Sequence, residues 1–86
     1  MKRTESDRIV VRELNGDFAK RVYPGDDVTV ETCRAAIDAR NGELISEGMK
    51  PRSCLICCEE HYRYYSDDGT FVRSERLVSV IERYPA

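Results

Sequence analysis

The sequence predicts a β-rich α+β domain, either a small antiparallel sheet or a small barrel of about five or six strands, with one helix. A β-type run at 54–65 holds three of the four cysteines and three of the five tyrosines. Two turn dipeptides, Asn15-Gly16 and Asp68-Gly69, each lie between runs of β-type residues. The stretch 28–40 contains three alanines and apolar residues at helical spacing, which favours one helix.

The run at 54–65 is predicted to be the central strand. Leu55 to Cys58 is continuously apolar, as in a strand covered on both faces. Asp68-Gly69 then predicts a tight hairpin turn, with the second strand starting at Thr70. Alternation beyond Cys58 predicts one face with Glu59, His61, Arg63 and Tyr65, and an opposite face with Cys58, Glu60, Tyr62 and Tyr64.

The first half of the chain predicts a second hairpin and a helix. Runs at 7–14 and 18–23 flank Asn15-Gly16, which favours a hairpin between them. A helix over about 28–40 would be capped by Asp26 or Asp27 and would end at Asn41-Gly42. The alternative for this stretch is a hairpin with Asn41-Gly42 at its tip, which would make the domain all-β.

The remaining segments are predicted to be short elements. Residues 43–46 suit a short strand, and 74–76 suit a break formed by one turn of 3₁₀ helix. A closing strand would then run over 77–82. The whole chain is expected to form one domain, with flexible ends at 1–6 and 84–86.

The order of these predicted elements, two hairpins and a last short strand entered through a tight turn, resembles the layout of SH3-like and Sm-like small barrels. The residues that prompt the comparison are Asp68-Gly69-Thr70, Arg76-Leu77 and Val80-Ile81, within roughly the last third of the chain. The resemblance is architectural. It implies a small barrel and assigns no functional residues.

Charge and hydropathy exclude several classes of function. With 14 basic and 16 acidic residues, the net charge is −2, which weighs against a protein that mainly binds a phosphate backbone. No apolar run approaches the ~20 residues of a membrane span, so no membrane partner is expected. The basic start at Lys2-Arg3 is not followed by an apolar stretch of signal-peptide length. Cytoplasm is therefore the expected compartment.

The cysteines are interpreted as free core thiols, because no secretion signal favours disulfides. The alternative is a structural zinc site formed by Cys33, Cys54, Cys57 or Cys58, and His61. In a strand, however, Cys57 and His61 lie roughly 13 Å apart and Cys54 points to the opposite face. The same geometry disfavours activation of a thiol by His61. No metal or other cofactor is therefore expected.

No motif in the sequence predicts catalysis. The acid pairs Asp26-Asp27 and Asp67-Asp68 stand beside glycine at predicted turns, where aspartate commonly bonds to nearby backbone. Phosphate-binding glycine loops and nucleophile elbows are not found in the sequence. We therefore expect a non-enzymatic protein.

The predicted binding surface lies on the 59–76 hairpin. Tyrosine and arginine are enriched at binding hot spots, which favours a small regulatory or accessory protein that contacts a protein partner. One alternative is a small-barrel RNA- or DNA-binding protein using Arg63, Arg73 and Arg76; another is a homodimer through an exposed hairpin edge. The candidate surface residues are Tyr62, Arg63, Tyr64, Tyr65, Arg73 and Arg76.

Overall fold

The computed structural model describes residues 1–13, 22 and 27–86. Its elements are β1 (Lys2–Arg12), α1 (Val30–Ser46), β2 (Cys54–Tyr65) and β3 (Phe71–Tyr84). The three strands form one antiparallel sheet in the order β1-β2-β3. This confirms a β-rich α+β fold. The described strands form an open sheet with β1 and β3 as its edges, and not the five- or six-stranded SH3-like or Sm-like barrel that the sequence suggested.

The hairpin between β2 and β3 is confirmed. Gly69 adopts a φ of +86°, which the turn requires and which glycine adopts without a Cβ clash. The Asp68 carboxylate accepts hydrogen bonds from the Ser66 hydroxyl and, at 3.0 Å, from the Thr70 amide. These bonds lower the pKa of Asp68 to about 2. A short polar turn thus closes two long strands, with Tyr65 opposite Phe71.

Strand β3 corrects two sequence predictions. The expected break at 74–76 is wrong. Ser74, Glu75 and Arg76 pair without interruption with Arg63, Tyr62 and His61 of β2. The predicted closing strand at 77–82 is therefore the second half of one strand that reaches Tyr84. The pairing of β2 with β3 is instead irregular between Ile56 and Cys57. There the register shifts by one residue of β3, and Ile81 forms a bulge.

The N-terminal strand also differs from expectation. Residues 1–6 were expected to be a flexible end, yet β1 begins at Lys2 and pairs with β2 along its whole length. Among the described residues, the partner of β1 is β2. Asn15-Gly16 and most of 18–23 lie outside the described residues.

The helical prediction for the middle of the chain is confirmed, with different ends. Thr29 caps α1 in a capping box: its hydroxyl accepts from the Thr32 amide (3.2 Å), and the Thr32 hydroxyl accepts from the Thr29 amide (2.7 Å). The expected caps were Asp26 or Asp27, of which Asp27 instead gives its backbone carbonyl to the Thr32 hydroxyl.

The helix continues through Asn41-Gly42, where the sequence predicted its end, so 43–46 are helical and not a strand. The buried Asn41 amide donates to the Arg52 carbonyl (2.9 Å) and accepts from the Arg52 amide (2.8 Å). Because these bonds occupy its side chain in a tertiary contact, Asn41 is held within the helix. The chain leaves the helix at Gly48, whose φ is +78°.

Helix α1 packs against one end of one face of the sheet. Its buried Cys33 and Ile37 meet Cys54 and Ile56 of β2, and partly buried Ile9 and Val11 of β1 flank them. At the rim, Arg34 pairs with Glu82 and the Tyr84 hydroxyl donates to Asp38, fixing α1 to β3. We call this side of the sheet the helix-side face. The opposite side, on which none of the described elements packs, is called the open face.

Two adjacent substitutions test the account of the helix. Asn41→Ala should lower the free energy of unfolding by about 1–3 kcal/mol, because it leaves both Arg52 backbone groups without their partner. Gly42→Ala should raise it by about 0.5–1 kcal/mol, because a Cβ at this exposed helical position meets nothing within 4 Å. Urea unfolding of both variants measures these changes. If the helix ended at residue 41, the two substitutions would leave the free energy of unfolding unchanged or shift it in the opposite direction.

Candidate binding site

The two faces of the sheet are set by the alternation of β2, as the sequence predicted. Glu59, His61 and Arg63 are on the open face with their cross-strand partners, and Glu60, Tyr62 and Tyr64 are on the helix-side face. Side-chain contacts support this division, since Arg8, Arg12 and Arg76 all contact Glu59 whereas Glu82 and Tyr84 contact α1.

Charge is segregated between these faces. The open face carries six basic side chains and a single carboxylate, namely Lys2, Arg8, Arg12, Arg63, Arg76, Arg83 and Glu59. The helix-side face of the same strands carries two basic and five acidic side chains, namely Arg3, Arg73, Glu5, Asp7, Glu60, Glu75 and Glu82. A chain with a net charge of −2 therefore presents one strongly positive surface.

A buried carboxylate organises the centre of the open face. Glu59 is only 3% exposed, and its Oε1 accepts from Arg8 Nη2 (2.7 Å) and Nε (3.1 Å). Arg76 Nε lies 3.2 Å from the same oxygen, and Arg12 Nη2 lies 3.8 Å from Oε2. Each guanidinium is at least half exposed. We call Glu59 with Arg8, Arg12 and Arg76 the arginine cluster.

The arginine cluster acts on the protonation of its carboxylate. Hydrogen bonds from Arg8, together with the charges of Arg8, Arg76 and Arg12, hold the pKa of Glu59 below its ordinary value despite desolvation. Glu59 is therefore charged at neutral pH. One negative charge faces three positive ones, so the cluster keeps an excess of positive charge directed to solvent.

Two concave regions lie at the basic ends of the open face. One, of about 370 Å³, is lined by Ser6, Asp7, Arg8, Glu59, His61, Arg63 and Arg76. The other, of about 230 Å³, lies at the opposite end near Arg12, Leu55 and Arg83. Between them runs an apolar strip formed by Val10, Cys57, Val78 and Val80.

The structure divides the six predicted surface residues between the two faces. Arg63, Tyr65 and Arg76 are on the open face, and Tyr62, Tyr64 and Arg73 are on the helix-side face beyond the end of α1. On that side the Arg73 guanidinium stacks over Tyr64, 4.1 Å from the ring centroid. The Tyr62 hydroxyl donates to Glu60, which raises the pKa of Tyr62 to about 12.

Sequence reasoning missed Arg8 and Arg12, which are two of the three arginines in the arginine cluster. Their signal was present as alternation, because Arg8, Val10 and Arg12 share a face of any strand through them. Their position beside Glu59 depends on the pairing of β1 with β2, which joins residues about fifty positions apart.

The candidate zinc ligands are also divided. Cys33 and Cys54 lie in the core beneath α1, whereas Cys57 and His61 belong to the open face. Among the described residues, no three His, Cys, Asp or Glu side chains are grouped as metal ligands. Burial raises the pKa of Cys33 and Cys57, and raises that of Cys54 to about 11, so these thiols are protonated at neutral pH.

The outer strand β3 presents a second surface of note. Its central segment Leu77–Ile81 carries no charge, and four of its five side chains are large and apolar. All four are exposed: Leu77 by 53%, Val78 by 41%, Val80 by 59% and Ile81 by 45%. The outer backbone edge of β3 pairs with no strand among the described residues.

Comparisons of the chain with protein families, curated proteins and solved structures find no match. No helix in the described part of the chain has the length and apolar character needed to cross a membrane. Function is therefore inferred from the open face and from the outer edge of β3.

Glu59→Gln tests the arginine cluster. At pH 7 the variant should melt at a lower temperature, because three guanidinium groups then surround a neutral amide. The pKa of Glu59 is lowered in the folded state, so the stability it contributes is present above its unfolded pKa and is lost as the pH falls through the folded value. The difference in melting temperature should therefore be large at pH 7, and it should shrink as the pH falls below about 4.

The control for this experiment is Glu75→Gln, which removes one carboxylate from the exposed helix-side surface of β3. Its melting temperature should stay near that of the wild type at neutral pH, since exposed pairs contribute little. Equal effects of the two variants across the pH range would contradict a special role for Glu59.

Thiol reactivity tests the burial of the cysteines. Cys58 is the one partly exposed thiol of the four, whereas the others are at most 1% exposed. In native protein at pH 8, a maleimide reagent should label Cys58 first, with the other three protected until the domain unfolds. Peptide mass spectrometry against reaction time gives the order, and labelling of Cys57 at the rate of Cys58 would contradict the described sheet.

Proposed function

We propose that this protein is a non-enzymatic binding module, of a regulatory or accessory kind, that docks a strand of a partner protein along the outer edge of β3. The observation that supports this proposal is the uncharged, exposed segment Leu77–Ile81, on an edge with which none of the described strands pairs. An extended peptide can add to such an edge through backbone hydrogen bonds, and alternate side chains then supply specificity.

The energetic case rests on apolar surface. Fully burying a large aliphatic side chain gives about 1.5–3 kcal/mol, and four partly exposed ones lie within five residues here, on both faces of the strand. Edge strands of monomeric proteins usually carry charges that prevent pairing. Strand β1, the other edge, follows that pattern with Lys2, Arg3, Glu5, Asp7 and Arg8. The centre of β3, in contrast, carries no charged side chain.

The charge of the open face favours a different protein over a second copy of this one. A second copy paired antiparallel along β3 would be related by a two-fold axis normal to the sheet, which places both open faces on the same side. Their basic side chains, including Arg76 and Arg83, would then meet along the seam. A partner strand with apolar residues at its centre and carboxylates toward the open face suits this edge better.

The proposed edge belongs to the hairpin singled out from the sequence, but it extends that surface. The 59–76 hairpin contributes the first part of β3, and the apolar segment follows it at 77–81. The tyrosines Tyr62 and Tyr64 lie on the helix-side face beside β3. They supply further contacts to a strand docked along this edge.

Site-specific photo-crosslinking in cells that make the protein tests the proposal. A benzophenone amino acid at Val80, the most exposed apolar position of the segment, should give an adduct with another protein. The matched control is the same group at Thr4, exposed on the edge strand β1. A second substitution, Val78→Lys, should abolish the Val80 adduct, because a charge in the segment blocks strand addition.

Mass spectrometry of the adducts decides between the outcomes. A heterologous adduct from Val80 that depends on Val78 and is absent from Thr4 supports docking on β3. An adduct with a second copy alone would assign this edge to a homodimer, and equal adducts from both sites would reject a specific edge. The circular dichroism of Val78→Lys shows whether its effect is on binding or on folding.

A further inference from the structure

We propose that the open face binds single-stranded nucleic acid, with phosphate groups held by the arginine cluster and Arg63. This inference concerns the open face, which shares Val78 and Val80 with the docking segment of β3, and it does not depend on partner docking. Single-stranded nucleic acid is bound by a positive groove that follows the backbone, together with exposed aromatic or apolar side chains that contact the bases.

The open face carries an excess of positive charge. Of the acidic residues interleaved with the hairpin arginines in the sequence, Glu60 and Glu75 lie on the other face, Asp67 and Asp68 lie in the turn, and Glu59 lies on the open face. Glu59 is buried and surrounded, so it presents little negative surface to a ligand. The acidic pI of the chain therefore does not describe the potential at this face.

Arg8 and Arg76 of the arginine cluster are held in position by Glu59. Glu59 accepts hydrogen bonds from Arg8 and lies within 3.2 Å of Arg76, so these guanidinium groups are ordered while remaining at least half exposed. Their other N–H groups can donate to a phosphate oxygen, for which the guanidinium geometry is well suited. Arg63 forms no ion pair with any residue that the structure describes, and it borders the same concave region.

The basic surface of the open face extends along much of β2. Arg8, Arg63 and Arg76 line one basic region and Arg12 and Arg83 line the other, with the apolar strip between them along β2. From Leu55 to Arg63 the strand spans roughly 26 Å at ~3.3 Å per residue. This length suits a chain of several anionic groups better than one small anion. At the far end, exposed Phe71 packs edge-to-face on Tyr65, 5.9 Å between centroids, and offers a ring for stacking.

These features favour a phosphodiester chain over an acidic polypeptide. Both would be attracted to the positive face, but the carboxylate side chains that give an acidic peptide its charge carry no ring to stack on Phe71. A nucleic acid supplies evenly spaced charges and planar bases together. Free phosphate could occupy the concave region beside Arg63, but it would use only one end of the face.

The experiment measures fluorescence anisotropy of a labelled single-stranded oligonucleotide with the full chain, between about 50 and 200 mM salt. Two variants remove the same charge from opposite faces of the same hairpin: Arg63→Ala on the open face and Arg73→Ala on the helix-side face. Arg63→Ala should weaken binding several-fold and reduce the slope of log affinity against log salt by about 1. Arg73→Ala should leave both within error of the wild type.

Competition assigns the ligand. Polyglutamate at equal charge concentration and inorganic phosphate at equal ionic strength should each displace the oligonucleotide at least tenfold less well than unlabelled oligonucleotide. Equal displacement by polyglutamate would reassign the face to acidic protein, and displacement by inorganic phosphate would reassign it to a small anion. No binding at low salt, or equal losses in the two variants, would overturn the proposal.

Discussion

Among the described residues, one helix covers one end of one face of a three-stranded sheet, and the character of the other described surfaces follows from that limit. Beneath α1, Cys54 and Ile56 are fully buried and the core contains no charged side chain among the described residues. Beyond Cys58 no described element covers the sheet, and the sequence of β2 changes there from continuously apolar to alternating polar and aromatic residues. The same strand is therefore core at one end and surface at the other.

On the open face the flanking strands must cover the central strand themselves. Glu59 is buried because long side chains from β1 and β3 close over it, and burial of a carboxylate is costly unless charged partners satisfy it. Three arginines meet that requirement with one carboxylate. The interaction that stabilises the centre of the sheet is thus also the source of the positive potential on its surface.

The parts of the fold that the sequence predicted depend on local signals. The alternation after Cys58 and the turn at Asp68-Gly69 are contained within a few residues, so the hairpin and its two faces followed from them. The pairing of β1 with β2 is long-range and has no such signal. Asn41-Gly42 is a common helix end, and only the contact of Asn41 with Arg52, eleven residues away, explains why the helix continues.

The candidate site was harder to predict because counting charges along the chain ignores the direction of side chains. Glu59 and Glu60 are neighbours in sequence, yet one is enclosed by arginines and the other bonds to Tyr62 on the opposite face. The local signals placed Arg63 on its face correctly, but Arg73 and Arg76, which were expected beside it on one surface, lie on opposite faces of the sheet. Only the position of β1 shows that Arg8 and Arg12 join Arg76 around one carboxylate.

The two proposed surfaces meet at β3, which has consequences for their joint occupancy. A strand docked beyond β3 would extend the open face by one strand on the side of Arg76 and Arg83. If that strand carries carboxylates toward the open face, as the charge of the edge favours, it lowers the potential that attracts a phosphate backbone. By linkage, bound nucleic acid must weaken the docking of such a strand by the same factor. Val78 and Val80 belong both to the docking segment and to the apolar strip, so the two ligands are expected to compete through charge and through these shared side chains.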